Sequence, residues 1–262
     1  MKRTLITAND TVIPEELRRT TEGARLYDSS CSPEARVIFI DKDGGYYLKS
    51  AAFGELKREA EMTRYFHSKG LGAEVLAYIT ENGRDYLLTS RVAGEDCTYA
   101  GYTENPKRLC DTLAVLLREL HGMPTDGCPV TDRCSEYFRT VDENRKAGRF
   151  DGSYLLPSLS ALNADAAYRL TAERRTEMND RSLLHGDYCL PNIMLDGWRL
   201  SGFIDVGNGG IGDRHIDLYW GAWTLNFNLH TDRYRDRFFD AYGRDRVDTG
   251  LIEAVSAAEC FG

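Results

Sequence analysis

Residues 185–205 read HGDYCLPNIMLDGWRLSGFID, and this stretch decides both the fold and the chemistry that the chain can support. It holds two short apolar runs, residues 193–195 and 200–204, with Asp196 and Gly197 between them. Asp-Gly between apolar runs is typical of a β-hairpin. The connection predicted here is a little longer than the tightest type of turn.

The polar residues at the open end of this hairpin suggest a metal site. The entry to the first strand of an antiparallel hairpin lies beside the exit from the second. Asn192 should therefore lie close to Asp205, with Asp187 in a loop just upstream. An amide and a carboxylate oxygen at a hairpin mouth, with another carboxylate nearby, suit Mg²⁺ and phosphate chemistry. The alternative is a chance loop with two acids, which would have no such role.

The composition sets limits on the class of protein. The chain has 262 residues and a formal net charge of −8, which argues against nucleic acid as a partner because phosphate binding needs a basic face. The seven cysteines form no CxxC pair, so we expect reduced thiols and no zinc. No apolar stretch follows Met1 as in a secretory signal, and none approaches the ~20 residues of a membrane helix. These features predict a cytoplasmic protein that acts away from membranes.

A family resemblance adds to this interpretation. The segment HGDYCLPNIML, residues 185–195, followed by SGFIDVGNGGIGDRHIDL, residues 201–218, resembles the catalytic segment of the aminoglycoside phosphotransferase and choline kinase-like group. It is most similar to the aminoglycoside 3′-phosphotransferases, and a thinner similarity extends from about Ser32 to the C-terminus. The resemblance implies an α+β, bilobal protein kinase-like fold, with a small β-rich lobe carrying one packed helix and a larger, mostly helical lobe. Residues 1–92 would form the nucleotide-binding lobe and residues 93–262 the catalytic and substrate-binding lobe.

The resemblance also implies cofactors and roles. Asp187 would orient the acceptor hydroxyl, while Asn192 and Asp205 would bind Mg²⁺ on ATP or GTP as phosphate donor. His185 would brace the catalytic loop through hydrogen bonds, and Asp217 would anchor it. The enzyme would act as a monomer or weak dimer.

The first half of the chain supplies the predicted nucleotide contacts. Residues 36–40 and 46–49 read as a hairpin, and residues 54–69 as a helix. A carboxylate at Glu59 could reach Lys49 and direct its ammonium towards the phosphates, whereas Glu61 lies roughly 200° away around the helix because each residue advances about 100°. By resemblance, Ser90 and Val92 would bind adenine through their backbone. Ser32, in a loop without glycine, would cover the phosphates, although a solvated turn explains that loop equally well.

Further helices are predicted downstream. One begins at Asn105 and Pro106 as its cap and continues through a leucine stripe to residue 121. Others are predicted over residues 137–150 and 159–178. The stripe predicts core packing, and His121 at the end of the first helix suits its dipole better than it suits a metal.

The acceptor is the least determined feature. Aminoglycosides carry several ammonium groups, so a site for them needs carboxylates. By resemblance these would include Asp151 and Glu259, together with Phe261 at the C-terminus. Ala258 stands where the family has aspartate, and the loop of residues 149–161 keeps few acids. An aromatic group nearby reads more readily as helical core than as a stacking surface for sugars; its members are Tyr219, Trp220, Trp223 and Phe227.

The sequence is compatible with three functions. The first is nucleotide-dependent phosphorylation of an aminoglycoside, at the 3′-hydroxyl. The second is a kinase of the same fold for another amino alcohol or amino sugar. The third is a catalytically idle nucleotide-binding protein, against which the intact set of polar residues argues: Lys49, Glu59, Asp187, Asn192 and Asp205.

Overall fold

A computed structural model of the chain describes residues 3–7, 11–31 and 35–262, so Ser32 lies outside the described residues. The chain divides into two compact units. The first consists of Met1–Asp96 with Pro191–Asn208, and the second of Cys97–Leu190 with Gly209–Gly262. The boundary after Val92 that the sequence suggests stays a prediction.

Strands and helices are numbered here along the chain. The strands are β1 (Thr4–Ile6), β2 (Arg25–Asp28), β3 (Arg36–Asp41), β4 (Tyr46–Ala52), β5 (Val75–Glu81), β6 (Arg84–Ser90), β7 (Glu95–Asp96), β8 (Ser182–Leu184), β9 (Ile193–Asp196), β10 (Arg199–Phe203) and β11 (Gly210–Gly212). The α-helices are α1 (Arg18–Thr21), α2 (Lys57–Ser68), α3 (Ala100–Thr103), α4 (Pro106–His121), α5 (Arg133–Lys146), α6 (Ala164–Arg174), α7 (His215–Leu229), α8 (Arg235–Tyr242) and α9 (Thr249–Glu259).

The first unit is built on a six-stranded antiparallel sheet in the order β1-β2-β3-β4-β6-β5. Alternate residues of its strands point into a core against the 3₁₀ turn Glu15–Leu17, as the two-residue period of a half-buried strand requires. Helix α2 packs through Leu56 and Ala60 against Ala51 and Leu87 of this sheet. A second sheet in the order β10-β9-β7 completes the unit.

The hairpin of β9 and β10 is confirmed, but the prediction of a longer connection is wrong. Asp196 pairs directly with Arg199, which leaves Gly197 and Trp198 as a two-residue turn. Their φ angles of 54° and 70° are those of the tight primed turns that match strand twist. Trp198 occupies a left-handed position that glycine or asparagine usually takes, and this is why the sequence pattern did not indicate the turn.

The second unit is mainly helical. Helix α4 follows the predicted leucine stripe, and its leucines are buried: Leu109, Leu113, Leu116, Leu117 and Leu120. The helix begins at Pro106 with Asn105 as its cap residue, as predicted, although the Asn105 side-chain amide makes no capping hydrogen bond and instead donates to the carbonyl of Gly101. Within the described residues, no helix is long and apolar enough to cross a membrane.

The remaining helices begin and end at residues that differ from the prediction. Helix α5 begins at Arg133 because the side chain of Asp132 accepts a hydrogen bond from the Ser135 N–H. Helix α6 begins at Ala164 for the same reason, with Asn163 accepting from the Ala166 N–H. Helix α2 begins at Lys57, after a turn at residues 53–56.

Candidate active site

In the first unit, the ammonium of Lys49 lies between two carboxylates. Lys49 Nζ in β4 is 2.7 Å from Glu59 Oε2 in α2 and 2.9 Å from Asp205 Oδ1, which follows β10. Burial alone would lower the pKa of Lys49, but the charges of Glu59 and Asp205 outweigh it and raise that pKa. The predicted pairing of Lys49 with Glu59 is therefore confirmed, and the lysine is held as a cation.

Helix α2 presents Glu59 to this cluster from the border of its buried face. Ala60 and Phe66 lie on the Glu59 side of the helix and are buried, whereas Glu61, roughly 200° around the helix from Glu59, is exposed. Gly207 makes room for the close approach, since a Cβ there would lie 3.2 Å from Glu59 Cβ. The helical period alone could predict Glu59, whereas the clearance at Gly207 needed the structure.

A buried carboxylate fixes the start of α2. Asp85 in β6 accepts hydrogen bonds from the backbone N–H groups of Gly54 and Leu56 and from the hydroxyls of Tyr78 and Thr80, at 2.8–3.2 Å. Burial would raise the pKa of Asp85, but these hydrogen bonds outweigh it and hold that pKa below the usual range. Asp85 thus ties the helix that carries Glu59 to the strand beside Lys49.

Replacing Asp85 with alanine should lower the free energy of unfolding by about 3 kcal/mol, because one buried and three partly buried donors lose their shared acceptor. Urea denaturation followed by circular dichroism measures this. Asp41→Ala, at an exposed position of the same sheet, is the control and should change stability by less than about 0.5 kcal/mol. Equal stability of the two variants would contradict the anchoring role.

The hairpin mouth brings Asn192 and Asp205 together as predicted. The N–H of Ile204, next to Asp205, donates a 3.0 Å hydrogen bond to the carbonyl of Asn192. Asp205 has a φ of 57° and a side chain that is 52% exposed. Its carboxylate is therefore accessible to solvent although one oxygen also contacts Lys49.

The donor set at this mouth fits Mg²⁺. Magnesium takes hard oxygen ligands and usually binds through one or two protein groups together with substrate phosphates and waters. An amide oxygen from Asn192 and a carboxylate from Asp205 match that requirement. Within residues 3–7, 11–31 and 35–262, no cluster of three or more His, Cys, Asp or Glu side chains has metal-binding geometry.

The two residues predicted to bind adenine, Ser90 and Val92, lie at and just after the end of β6. The Ser90 N–H donates to the Glu74 carbonyl and the Ser90 hydroxyl accepts from the Glu74 N–H, both at 2.9 Å. Val92 packs against Ala73 and Met194. These contacts fix the backbone at the end of the strand, and the adenine-binding role of Ser90 and Val92 stays a prediction.

In the second unit, Asp217 holds the loop that carries Asp187. At the start of α7, its carboxylate accepts hydrogen bonds from the N–H groups of His185 and Gly186 at 2.7 and 2.8 Å, and from His121 Nε2 at 3.2 Å. His185 is buried, and its Nδ1 accepts a hydrogen bond from the Asp187 N–H at 3.3 Å. The predicted anchoring by Asp217 and bracing by His185 are confirmed.

Two further contacts that support this loop could not be predicted from the sequence. Two turns along α7, the Thr224 hydroxyl accepts from the Leu190 N–H at 3.1 Å, so the helix holds the loop at both ends. His121 also contacts the hydroxyl of Tyr242 at 2.8 Å through Nδ1. The only signal for His121 was its place at a helix end, and nothing in the pattern indicated Thr224.

The three predicted substrate residues also lie in this unit, where the chain end meets the loop after α5. The Asp151 N–H donates to the Cys260 carbonyl at 2.8 Å, and the exposed Asp151 side chain accepts from the Ser153 N–H. The ring of Phe261 is 1% exposed and packs near Phe150 and Tyr168. That ring therefore packs inside the unit and supports the chain end, and the substrate-binding role of Phe261 stays a prediction.

Glu259 is held in a nearly closed niche. Its side chain is 8% exposed, and its Oε1 accepts hydrogen bonds from the Tyr137 hydroxyl at 2.9 Å and from Trp220 Nε1 at 3.1 Å. Burial raises the pKa of Glu259 to about 7, although the hydrogen bonds from Tyr137 and Trp220 oppose this. Neither donor was foreseen, because both are remote from Glu259 in sequence.

This raised pKa predicts a pH-dependent stability. Between pH 4.5 and 7 the folded state keeps a proton on Glu259 that the unfolded state releases. The contribution of Glu259 to the free energy of unfolding is therefore fully present below pH 4.5 and is lost as pH rises through 7. The loss amounts to up to ~3 kcal/mol. The variant Glu259→Gln lacks it, so its stability relative to the natural chain should increase across this range. Urea unfolding at several pH values measures the difference, and parallel profiles would contradict the assignment.

The comparisons with known proteins define the class. The model of the phosphotransferase enzyme family matches residues 29–251, and the chain belongs to this family. A probable aminoglycoside 3′-phosphotransferase of Lactococcus lactis is 48% identical over 249 residues, which cover 95% of each protein. An aminoglycoside 3′-phosphotransferase of Niallia circulans is 28% identical over 197 residues, 75% of each protein.

Solved structures agree on the fold. An aminoglycoside phosphotransferase of Streptomyces rimosus superposes with a TM-score of 0.77 at 22% identity, covering 94% of this chain and 95% of that one. An aminoglycoside 3′-phosphotransferase of type VIII superposes with a TM-score of 0.74 at 25% identity, covering 94% and 97%. The predicted kinase-like fold and membership of the phosphotransferase family are confirmed.

Proposed function

We propose that the chain transfers the γ-phosphate of a Mg²⁺-bound nucleotide, ATP or GTP, to the 3′-hydroxyl of an aminoglycoside and so inactivates the antibiotic. The observation that supports this best is the 48% identity, over 95% of both proteins, to the probable aminoglycoside 3′-phosphotransferase of Lactococcus lactis. In this proposal the enzyme acts in the cytoplasm, as a monomer or weak dimer, without nucleic acid or membrane partners.

The nucleotide belongs to the first unit in this proposal. Lys49, held by Glu59, binds the phosphates, while Ser90 and Val92 bind the base through their backbone and Ser32 covers the phosphates. Asn192 and Asp205 hold Mg²⁺, which would neutralise charge on the phosphate oxygens when bound. The cation at Lys49 supports this role, because its ammonium is fixed in position and carries its charge at neutral pH.

The acceptor belongs to the second unit. Asp187 accepts a hydrogen bond from the acceptor hydroxyl and orients its oxygen for attack on the γ-phosphorus. As the new O–P bond forms, the bond from the γ-phosphorus to the β–γ bridging oxygen breaks, the nucleoside diphosphate leaves, and the hydroxyl proton passes late in the step to the Asp187 carboxylate. Asp151 attracts the ammonium groups of the acceptor, Glu259 does so in its ionised form above pH 7, and Phe261 acts by fixing the chain end near them. The loop geometry supports the role of Asp187, because α7 fixes the loop on both sides of it.

An acceptor panel tests this function directly. ADP release coupled to a spectrophotometric signal should respond to kanamycin and neomycin and stay at background with choline or simple hexosamines. Expression in a susceptible bacterial host should raise the inhibitory concentration of kanamycin, and the Asp187→Ala chain should not. Turnover of choline or a hexosamine without any antibiotic turnover would reject the aminoglycoside assignment and favour the amino alcohol or amino sugar kinase. Absence of all turnover, with nucleotide still bound, would favour the idle protein.

A further inference from the structure

Three aromatic rings of the second unit form a row that ends in solvent. The ring of Tyr154 lies 5.9 Å from that of Trp223 at an interplanar angle of 30°, and Trp223 stacks on Phe227 at 4.9 Å and 12°. Trp223 and Phe227 are one turn apart on α7, and the Phe227 side chain is 61% exposed. We call Tyr154, Trp223 and Phe227 the aromatic row.

The packing of the second unit does not explain this row. Tyr219, on the same helix, is fully buried and belongs to the core, as the sequence predicted for the whole aromatic segment. Phe227 instead leaves most of its ring in water, and exposed apolar rings stacked in series are a feature of binding surfaces. The core interpretation therefore holds for Tyr219 and fails for Phe227.

Residues next to Trp223 on α7 link the row to the catalytic loop and to Glu259. Trp220, which packs edge-on against both Tyr154 and Trp223, donates its indole N–H to Glu259. Burial first, and then the negative charges of Asp151, Glu259 and Asp187, raise the pKa of Tyr154. Thr224, the residue after Trp223 on α7, accepts a hydrogen bond from the Leu190 N–H of the loop that carries Asp187, while Phe227 lies two ring contacts from Tyr154.

We propose that the aromatic row binds an amino-sugar ring of the acceptor other than the ring that receives the phosphate. This inference rests on the proposed function and deepens it. The C–H face of a sugar ring is apolar and flat enough to stack on an aromatic ring, and an ammonium on that ring is attracted to the negative π face. Asp151, which caps the 3₁₀ turn that contains Tyr154, adds the negative potential that a polycationic saccharide requires.

The length of the row has a consequence for specificity. In this proposal a single-ring amine whose hydroxyl is at Asp187 makes no contact with Phe227, which lies two ring contacts beyond Tyr154. A multi-ring acceptor can contact both, so the aromatic row should favour kanamycin or neomycin over a one-ring amino sugar through binding of the second ring.

Substitutions at Phe227 test whether binding needs a flat aromatic ring at this position or only an apolar side chain. In Phe227→Leu the flat ring is lost and the KM for kanamycin should rise about fivefold, while kcat stays within about twofold, because this contact is made equally in ground and transition states. Phe227→Tyr keeps the ring and should restore the natural KM. Tyr99→Leu, at another exposed aromatic residue of the same unit, is the matched control and should leave the KM for kanamycin unchanged.

Binding of kanamycin by calorimetry, alongside phosphate transfer, distinguishes failure of this inference from failure of the function. If the natural chain phosphorylates kanamycin and Phe227→Leu has the KM of Tyr99→Leu, the aromatic row is not a sugar site. If kanamycin binds without being phosphorylated and Phe227→Leu weakens that binding, the row is supported and the proposed function is rejected. Absence of both binding and transfer overturns both. A change in oligomeric state on sedimentation of Phe227→Leu, with unchanged KM, would instead mark a surface for a second copy and overturn the sugar site.

Discussion

Asp187→Ala is expected to lower kcat for phosphate transfer by about 10³-fold, the middle of the range for loss of a positioned acid–base group. The Asp187 backbone is fixed independently of its side chain, since its N–H donates to His185 and the preceding N–H of Gly186 donates to Asp217. Removing the carboxylate should therefore leave the loop in place. The loss should appear in kcat because the hydroxyl is no longer oriented towards phosphorus.

Nucleotide binding should survive this substitution. The groups proposed for the nucleotide lie in the other compact unit, and Lys49 is held there by Glu59 and Asp205. Calorimetry of Asp187→Ala with Mg²⁺ and a non-hydrolysable nucleotide should give the natural dissociation constant. The control is Asp232→Ala, which removes an exposed carboxylate of the second unit before α8 and should keep full turnover. A turnover number for Asp187→Ala equal to that of the control would show that another group orients the acceptor.

The parts of this site that the sequence could predict are those governed by short-range rules. Strand alternation and the Asp-Gly signal predicted the hairpin, and hairpin geometry then placed Asn192 beside Asp205. The helical period selected Glu59 over Glu61 as the partner of Lys49. Each of these arguments uses residues within one or two adjacent elements, where the chain itself limits the geometry.

Contacts that join distant segments could not be predicted in this way. Asp85 gathers donors from the turn before α2 and from β5, and no local pattern marks a strand aspartate as a buried acceptor. Glu259 meets Tyr137 and Trp220 only because α5, α7 and α9 converge on it. A buried carboxylate needs partners to offset its desolvation, but the sequence does not say which segments supply them.

Side-chain packing was also unpredictable for Phe261, a residue whose role was inferred from the family resemblance. Its alignment with a terminal phenylalanine predicted a substrate-binding residue, but it could not predict that the ring packs against Phe150 and Tyr168. A matching residue type establishes a matching position, whereas the direction of the side chain depends on packing around it. The chain-end carbonyl of Phe261 is likewise held by Asn144 at 2.6 Å.

The largest effect on nucleotide affinity is expected at Asp205. Asp205 has a left-handed backbone conformation that aspartate and asparagine tolerate better than alanine does. Asp205→Asn therefore keeps the backbone and removes only the charge, while Asp205→Ala changes both. Lys49 retains Glu59 in either variant, so its position should change little.

Both variants should bind the Mg²⁺-nucleotide complex about 100-fold more weakly, because the carboxylate supplies one of two proposed protein ligands for the ion. Calorimetry with and without EDTA separates a metal contact from a direct effect on the phosphates. If Asp205 acts through Mg²⁺, the difference between the natural chain and Asp205→Asn should nearly vanish in EDTA. Asp196→Asn, at the turn end of the same hairpin, is the matched control and should bind like the natural chain. Persistence of the full difference in EDTA would mean that Asp205 acts through Lys49 or the phosphates, and the assignment of the hairpin mouth as a magnesium site would be wrong.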